Sequence, residues 1–151
     1  MKKVILSLAI VLTLFSTAFA NHPVRITEQA AAAFHKDFHK ASDVKWAVKE
    51  NYVVAKFIQD NQTLFAYYDY QGNMIGLLQH ILTSSLPANL QKDIKKRYEN
   101  YWVSELFKLT SDNGVYYYIQ LKNADETIVL SNEGTYGWHR YAVPKNTVTN
   151  L

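Results

Sequence analysis

The residues best suited to chemistry in this 151-residue chain are its five histidines. His35 and His39 are four positions apart, so a helix would place them on one face as part of a metal site. Asp37 would project about 200° away from His35 on that helix and could not join them. Because two ligands make an incomplete site, we predict a solvated helix flank, with weak metal binding as the alternative. His80 and His139 fall on predicted strands and are interpreted as ordinary surface or core residues.

The other reactive side chains lack a catalytic arrangement. The chain has no cysteine, and none of its serines lies in the Gly-x-Ser-x-Gly turn that presents a hydrolase nucleophile. Carboxylates such as Glu50 and Asp60 fall at predicted turns, where polar residues form the turn itself. The sequence therefore predicts a protein that is not an enzyme and that requires no cofactor.

The first twenty residues have the three parts of a secretory signal peptide. Lys2 and Lys3 form a positive start, residues 4–15 are an apolar run, and the Ala-Phe-Ala sequence at 18–20 fits the cleavage site. The apolar run of about 12 residues is shorter than the roughly 20 that span a bilayer. We expect a mature chain that begins at Asn21, has no membrane span and is periplasmic or secreted.

Composition places the remainder of the chain in the globular class. Hydrophobic residues make up 48% of the sequence and charged residues 19%, which excludes disordered and collagen-like chains. Without Lys2 and Lys3, 14 of the 16 basic residues remain against 13 acidic ones, so the charge excess expected of a nucleic-acid-binding protein is missing. The basic cluster at 92–97 complements a helix C-terminus, although it could also attract an acidic lipid or polysaccharide. We expect one domain, residues 21–151, stabilised by packing without disulfides.

Apolar periodicity predicts two helices, at about 28–40 and about 87–99. In the first, Ala30, Phe34 and Phe38 recur every four residues after Thr27, a suitable N-cap. Elsewhere the apolar period falls to two between turn-forming clusters, which is typical of hairpin-linked strands. The predicted strands are at about 44–50, 52–59, 63–70, 74–81, 102–110, 115–122, 126–131 and 136–142.

The first half of the sequence is also similar to the second half. The first helix and the strand after it match the second helix and its strand at an offset of 56 residues, which pairs Trp46 with Trp102. The later strands match at a slightly larger offset, with residues 63–65 against residues 127–129. An internal duplication explains both matches and predicts equivalent places for the two tryptophans.

A helix followed by four short strands, repeated once, predicts an α+β fold. The two repeats, at about 26–82 and 83–143, would form one long antiparallel sheet with both helices on one face. Side-chain alternation places a predicted core set toward the helices. That set is Trp46, Val48, Val53, Ala55, Phe57, Val115, Tyr117, Ile119, Leu121, Ile128 and Leu130.

The opposite face of the predicted sheet is more aromatic than a solvated face needs to be. It would carry Tyr52, Tyr116 and Tyr118, together with Val54, Thr127 and Val129. We interpret the three tyrosines as candidate binding residues for a protein, a peptide or an envelope polymer. Cross-strand stabilisation of the sheet is an equally supported role for them. A small-ligand or metal-handling periplasmic protein is the alternative function.

Several segments of the chain carry a resemblance to a known family. They are Phe34-His35-Lys36-Asp37-Phe38, Asp43-Val44-Lys45-Trp46, Thr63-Leu64-Phe65-Ala66-Tyr67-Tyr68-Asp69, Leu86-Pro87 and Tyr101-Trp102. In this order, from about Ile26 to Tyr141, the chain resembles the bacterial PepSY-like family, which is also described as β-lactamase-inhibitor-protein-like. The resemblance implies an exported protein with a tandem helix-plus-sheet fold. It implies no inhibition of a β-lactamase, because no inhibitory loop matches residue by residue.

Overall fold

The computed structural model describes residues 26–133 and 137–141, so the signal-peptide pattern at 1–20 lies outside the described residues. The helices are α1 (Glu28–Asp37) and α2 (Ala88–Arg97), and the strands are β1 (Ser42–Val48), β2 (Val53–Gln59), β3 (Gln62–Tyr68), β4 (Met74–His80), β5 (Trp102–Ser111), β6 (Gly114–Lys122), β7 (Thr127–Asn132) and β8 (His139–Arg140). Neither helix in these ranges is long and apolar enough to cross a membrane.

The eight strands form one sheet in the order of the sequence, and every neighbouring pair is antiparallel. The predicted α+β class, with one long antiparallel sheet and both helices on one face, is therefore confirmed. The last strand is shorter than predicted, although positions 136 and 142 of that prediction lie outside the described residues.

Both helices end two or three residues before their predicted boundaries, at Asp37 and Arg97. The residues that follow, Phe38 and Tyr98, leave the helical conformation, yet each still donates its backbone N–H to the carbonyl four residues earlier. Their rings pack against the core. An apolar side chain at these positions continues the helical pattern of the sequence, which is why the pattern overestimates the helix length.

The two halves of the fold match at an offset of 60 residues in the helices. The N-caps Thr27 and Pro87 are 60 positions apart, as are the C-caps Phe38 and Tyr98. The pairing of β1 with β2 and of β5 with β6 is also interrupted at positions 60 apart. The predicted offset of 56 is therefore wrong by one helical turn. Apolar residues recur every four positions in these helices, so a slip of one turn preserves most of the apparent matches.

With an offset of 60 residues, Trp46 and Trp102 no longer occupy equivalent positions in the two halves. Trp46 packs edge-on against Phe34 with ring centroids 5.2 Å apart, whereas Trp102 is 56% exposed. At an offset of 60, Trp46 corresponds instead to Leu106, which is buried beneath α2. The predicted equivalence of Trp46 and Trp102 is wrong, and the duplication itself stays a prediction.

The helix-covered face of the sheet holds two apolar clusters. The α1 cluster contains Ala30, Phe34, Val53, Ala55, Phe57, Leu64, Ala66 and Tyr68. The α2 cluster contains Leu86, Leu90, Ile94, Leu106, Ile119, Leu121, Ile128, Leu130 and Trp138. Trp46 and Tyr117, which were predicted to be core residues, pack partly buried against these clusters. Val48 and Val115 were predicted to be core residues as well, but they are 40% and 43% exposed. Both lie at strand ends, where alternation fixes the face of a side chain without burying it.

Trp138 connects the segment before β8 to α2. Its fully buried indole donates Nε1–H to the carbonyl of Leu90 over 3.0 Å, and its backbone N–H donates to Asp93 Oδ2 over 3.0 Å. Arg97 donates to the same carboxylate oxygen and to the Trp138 carbonyl. These bonds hold the segment before β8 against the helix and satisfy the polar groups of a buried aromatic residue.

Candidate functional site

The sheet face opposite the two helices, here called the outer face, carries an apolar cluster of its own. Its buried members are Val54, Phe65, Tyr67, Leu78, Phe107, Leu109 and Tyr118, and its partly buried members are Tyr52, Ile75, Tyr116, Val129 and Tyr141. The strand register accounts for this grouping, because Phe65 pairs with Leu78 and Leu78 with Leu109 across three strands. Aromatic side chains therefore extend across most of the sheet width on this face.

All three tyrosines predicted as binding residues belong to this cluster. Tyr52 and Tyr116 are half-buried, but Tyr118 is only 5% exposed, so its predicted exposure to solvent is wrong. Its cross-strand neighbour on β5 is Phe107, and the ring of Tyr141 lies edge-on with centroids 6.3 Å apart. These large neighbours cover the Tyr118 ring, which alternation alone does not predict.

Burial raises the pKa of two of the three candidate tyrosines on the outer face. It raises the pKa of Tyr52 to about 12, and together with the nearby Glu133 it raises the pKa of Tyr118 further. These hydroxyls consequently stay protonated near neutral pH and can donate hydrogen bonds, but they are unsuited to act as bases. The hydroxyl of Tyr116 already donates to the carbonyl of Asn113 over 2.9 Å.

Tyr67 is a member of the outer-face cluster that the sequence interpretation missed. Its side chain is 1% exposed, and its buried hydroxyl has no hydrogen-bond partner among residues 26–133 and 137–141. The Tyr52 ring lies 6.0 Å away, and burial raises the pKa of Tyr67 far above the usual value. A buried polar group without a partner costs about 1–3 kcal/mol of stability. Alternation along β3 from Phe65 would have placed Tyr67 on this face.

Replacing Tyr67 with phenylalanine is expected to raise the free energy of unfolding by about 1 kcal/mol, because it removes the unpaired hydroxyl and keeps the ring. The gain corresponds to a rise in Tm of roughly 4 °C, measurable by circular dichroism. Tyr68→Phe is the matched control, since the Tyr68 hydroxyl donates to Asp37 Oδ2 over 2.9 Å. That control should lower Tm, and a lowered Tm for both variants would contradict the assignment of Tyr67 as unpaired.

A cleft of about 540 Å³ opens at one end of the outer face. It lies between the β2–β3 turn and the connection from β4 to α2, and it is called the end cleft below. Its lining comprises Lys56, Asn61, Gln62, Thr63, Phe65, His80, Ile81, Leu82, Ser85 and Phe107. Asp60 and Asn61 both have positive φ, of 51° and 60°, which gives the tight two-residue turn typical of hairpins. Leu82, at 72% exposed, forms part of the opposite wall.

The end cleft combines aromatic walls with polar and charged groups. The Lys56 Nζ lies 5.8 Å from the Phe65 ring centroid, a cation–π arrangement. His80 packs edge-on against Phe107 and lies 3.1 Å from Glu105 Oε2 through its Nε2 atom. The sequence interpretation regarded His80 as an ordinary residue, because the pairing of β4 with β5 that brings it to Phe107 spans more than twenty residues. Such an arrangement can hold a ligand that has both apolar and polar parts.

The candidate metal pair does not have the geometry that its spacing suggested. Because α1 ends at Asp37, His39 lies beyond the helix, so the two histidines do not form a helical edge. His35 instead lies edge-on to Phe34, with ring centroids 5.9 Å apart. Within residues 26–133 and 137–141, no three histidine or acidic side chains come together as a metal site.

No protein-family model and no curated protein matches this chain, but solved structures do. A BLIP-like protein from Bacteroides fragilis aligns with a TM-score of 0.69 at 18% identity, covering 85% of this chain and 94% of its own. A proposed periplasmic protein from Bacteroides eggerthii aligns with a TM-score of 0.72 at 11% identity, covering 83% and 96%. A DUF2874 family protein from Bacteroides ovatus aligns with a TM-score of 0.66 at 16% identity, covering 72% and 80%. The chain therefore has the BLIP-like fold, that of the β-lactamase inhibitor protein.

Proposed function

We propose that this chain is a non-catalytic binding module of the bacterial envelope, which holds a protein, a peptide or an envelope polymer on its outer face. The observation that carries this proposal is the aromatic cluster on that face, opposite the face that the two helices cover. Tyrosine and phenylalanine are enriched where proteins bind partners, and central aromatic contacts often contribute about 2 kcal/mol or more each.

The proposed location has three supports. The first is the signal-peptide pattern of residues 1–20. The second is the fold that the chain shares with a proposed periplasmic protein. The third is the resemblance to the PepSY-like family, and we include membership of that exported family in the proposal.

The half-buried tyrosines of the outer face provide the test. The exported protein is used as bait in envelope extract of its bacterium, and the captured material is quantified by mass spectrometry. The Tyr52→Ser/Tyr116→Ser variant is expected to capture at least ten times less, because both rings lie on the outer face. Tyr118 is left unchanged, since replacing a buried ring would also destabilise the sheet.

Tyr117→Ser is the matched control for this experiment. Tyr117 is the neighbour of Tyr116, is also half-buried, and packs against the α2 cluster on the other face of the sheet. Its variant should capture as much as the unaltered protein as long as it stays folded. Equal capture by all three proteins would leave the tyrosines with only their role in stabilising the sheet.

The end cleft favours a second candidate function, the handling of a small ligand. Its volume of about 540 Å³ lies within the roughly 300–1,000 Å³ of typical small-molecule sites. Native mass spectrometry of the purified protein distinguishes the two functions, since a small molecule that copurifies in stoichiometric amount would favour the second.

A further inference from the structure

The tip of the β5–β6 hairpin contains the only Asn-Gly sequence of the chain, Asn113-Gly114. Both residues are exposed, as is Asp112 before them, so solvent reaches this turn. Gly114 has a φ of 129°, a conformation that favours glycine. Because glycine has no side chain, its backbone nitrogen is also the least hindered one that can follow an asparagine. The tip therefore combines a side-chain amide with an accessible nucleophile directly beside it.

The side-chain amide of Asn113 is not held in place. Only its main-chain atoms form hydrogen bonds with the part of the chain that the structure describes. In the turn before β7, by contrast, Asn123 Oδ1 accepts from the backbone N–H groups of Asp125 and Glu126 over 2.9 and 2.8 Å. A free amide can turn its carbon towards the next backbone nitrogen, whereas a bonded amide must first break its hydrogen bonds.

We propose that Asn113 is a site of spontaneous deamidation, with water as the co-reactant. The Gly114 nitrogen attacks the side-chain carbon Cγ of Asn113, and a new C–N bond forms. The bond from Cγ to the amide nitrogen breaks, and ammonia leaves with the proton that Gly114 loses. Water then opens the resulting succinimide ring at either of its two carbonyls, which gives aspartate or isoaspartate. No group is oxidised or reduced in these steps.

The reaction would place a negative charge beside Tyr116, one of the candidate binding residues. The Tyr116 hydroxyl donates to the backbone carbonyl of Asn113 over 2.9 Å. When the ring opens at that carbonyl, its oxygen becomes part of a free carboxylate, and the backbone continues through the former side chain. The modified protein then carries a charge at the edge of the aromatic outer face, which opposes desolvation of that surface. This consequence rests on the proposed function, whereas the reaction itself does not.

Incubation of the exported protein at mildly alkaline pH, followed by tryptic digestion and mass spectrometry, tests the reaction. Asn113 is the only asparagine in the tryptic peptide 109–122, so fragmentation of this peptide reports the site directly. We expect Asn113 to react about ten times faster than Asn123, which precedes alanine. Isoaspartate should form together with aspartate, and faster at higher pH, because the nucleophile is the deprotonated nitrogen. Equal rates at the two asparagines would overturn the site, and aspartate alone would overturn the ring-closing step.

Ala124→Gly is the matched variant for the role of the free amide. It gives Asn123 the same following glycine, while Asn123 Oδ1 accepts from two backbone N–H groups. In this variant Asn123 is expected to react about fivefold more slowly than Asn113 of the same molecule, since its hydrogen bonds must break first. Equal rates, with circular dichroism showing an unchanged fold, would mean that the free amide of Asn113 plays no part.

Asn113→Gln separates the reaction from its consequence, because glutamine would have to close a larger ring and keeps the same charge. After incubation, the unaltered protein should capture about threefold less envelope material than before, since the new charge lies beside Tyr116. The incubated Asn113→Gln protein should capture as much as its fresh form. Deamidation without a loss of capture would overturn the effect on the outer face alone. If Tyr52→Ser/Tyr116→Ser captures as much as the unaltered protein, the proposed function fails, while the mass measurement still decides the reaction.

Discussion

Trp138→Ala is expected to lower the free energy of unfolding by about 3–5 kcal/mol, the range for removing a fully buried aromatic side chain. The indole is buried within the α2 cluster, and its Nε1–H donates to the carbonyl of Leu90. Its loss would leave a cavity beneath α2 and remove the hydrogen bond that connects the indole to the helix. Denaturant unfolding followed by far-UV circular dichroism measures the change without depending on tryptophan fluorescence.

Trp102→Ala is the matched control, because it removes the same side chain from a position that is 56% exposed. Its effect should lie within about 0.5 kcal/mol of zero, as is usual for exposed positions without special contacts. Similar losses for the two variants would contradict the assignment of Trp138 as the anchor of α2.

The sequence predicts those parts of this fold that depend on neighbours along the chain. Alternation placed Val53, Ala55 and Phe57 beneath α1 and put Tyr52 on the other face. The role of Trp138 could not be predicted in this way. Its hydrogen-bond partners Leu90 and Asp93 are 48 and 45 residues away in sequence, so no local period connects them.

The candidate site was predicted less completely than the fold. Alternation gives the face of Tyr118 but not its burial, which depends on Phe107 and Tyr141 from other strands. The end cleft forms only once β4 pairs with β5 and brings His80 beside Phe107. The repeat offset was wrong for a different reason, since a four-residue apolar period is unchanged by a slip of one helical turn.

Phe34→Ala is expected to lower the free energy of unfolding by about 3–5 kcal/mol as well, but through the α1 cluster. Phe34 is 1% exposed, and its ring lies 5.0 Å from Phe57 and 5.2 Å from Trp46, edge-on to both. Such pairs contribute roughly 0.5–1.5 kcal/mol each beyond the area they bury. His35→Ala on the exposed side of the same helix should have little effect, as measured by denaturant unfolding.

The two aromatic anchors should act independently, because no residue belongs to both the α1 and the α2 cluster. We choose the milder changes Phe34→Leu and Trp138→Phe so that the double variant is expected to stay folded, and their effects are compared in a double-mutant cycle. We expect the two losses to add within about 0.5 kcal/mol, as they do for sites without shared partners. A larger interaction energy would mean that the sheet transmits strain between the helices. In that case, changes beneath the helices would also alter the proposed binding on the outer face, because β4 and β5 connect the two halves of the sheet.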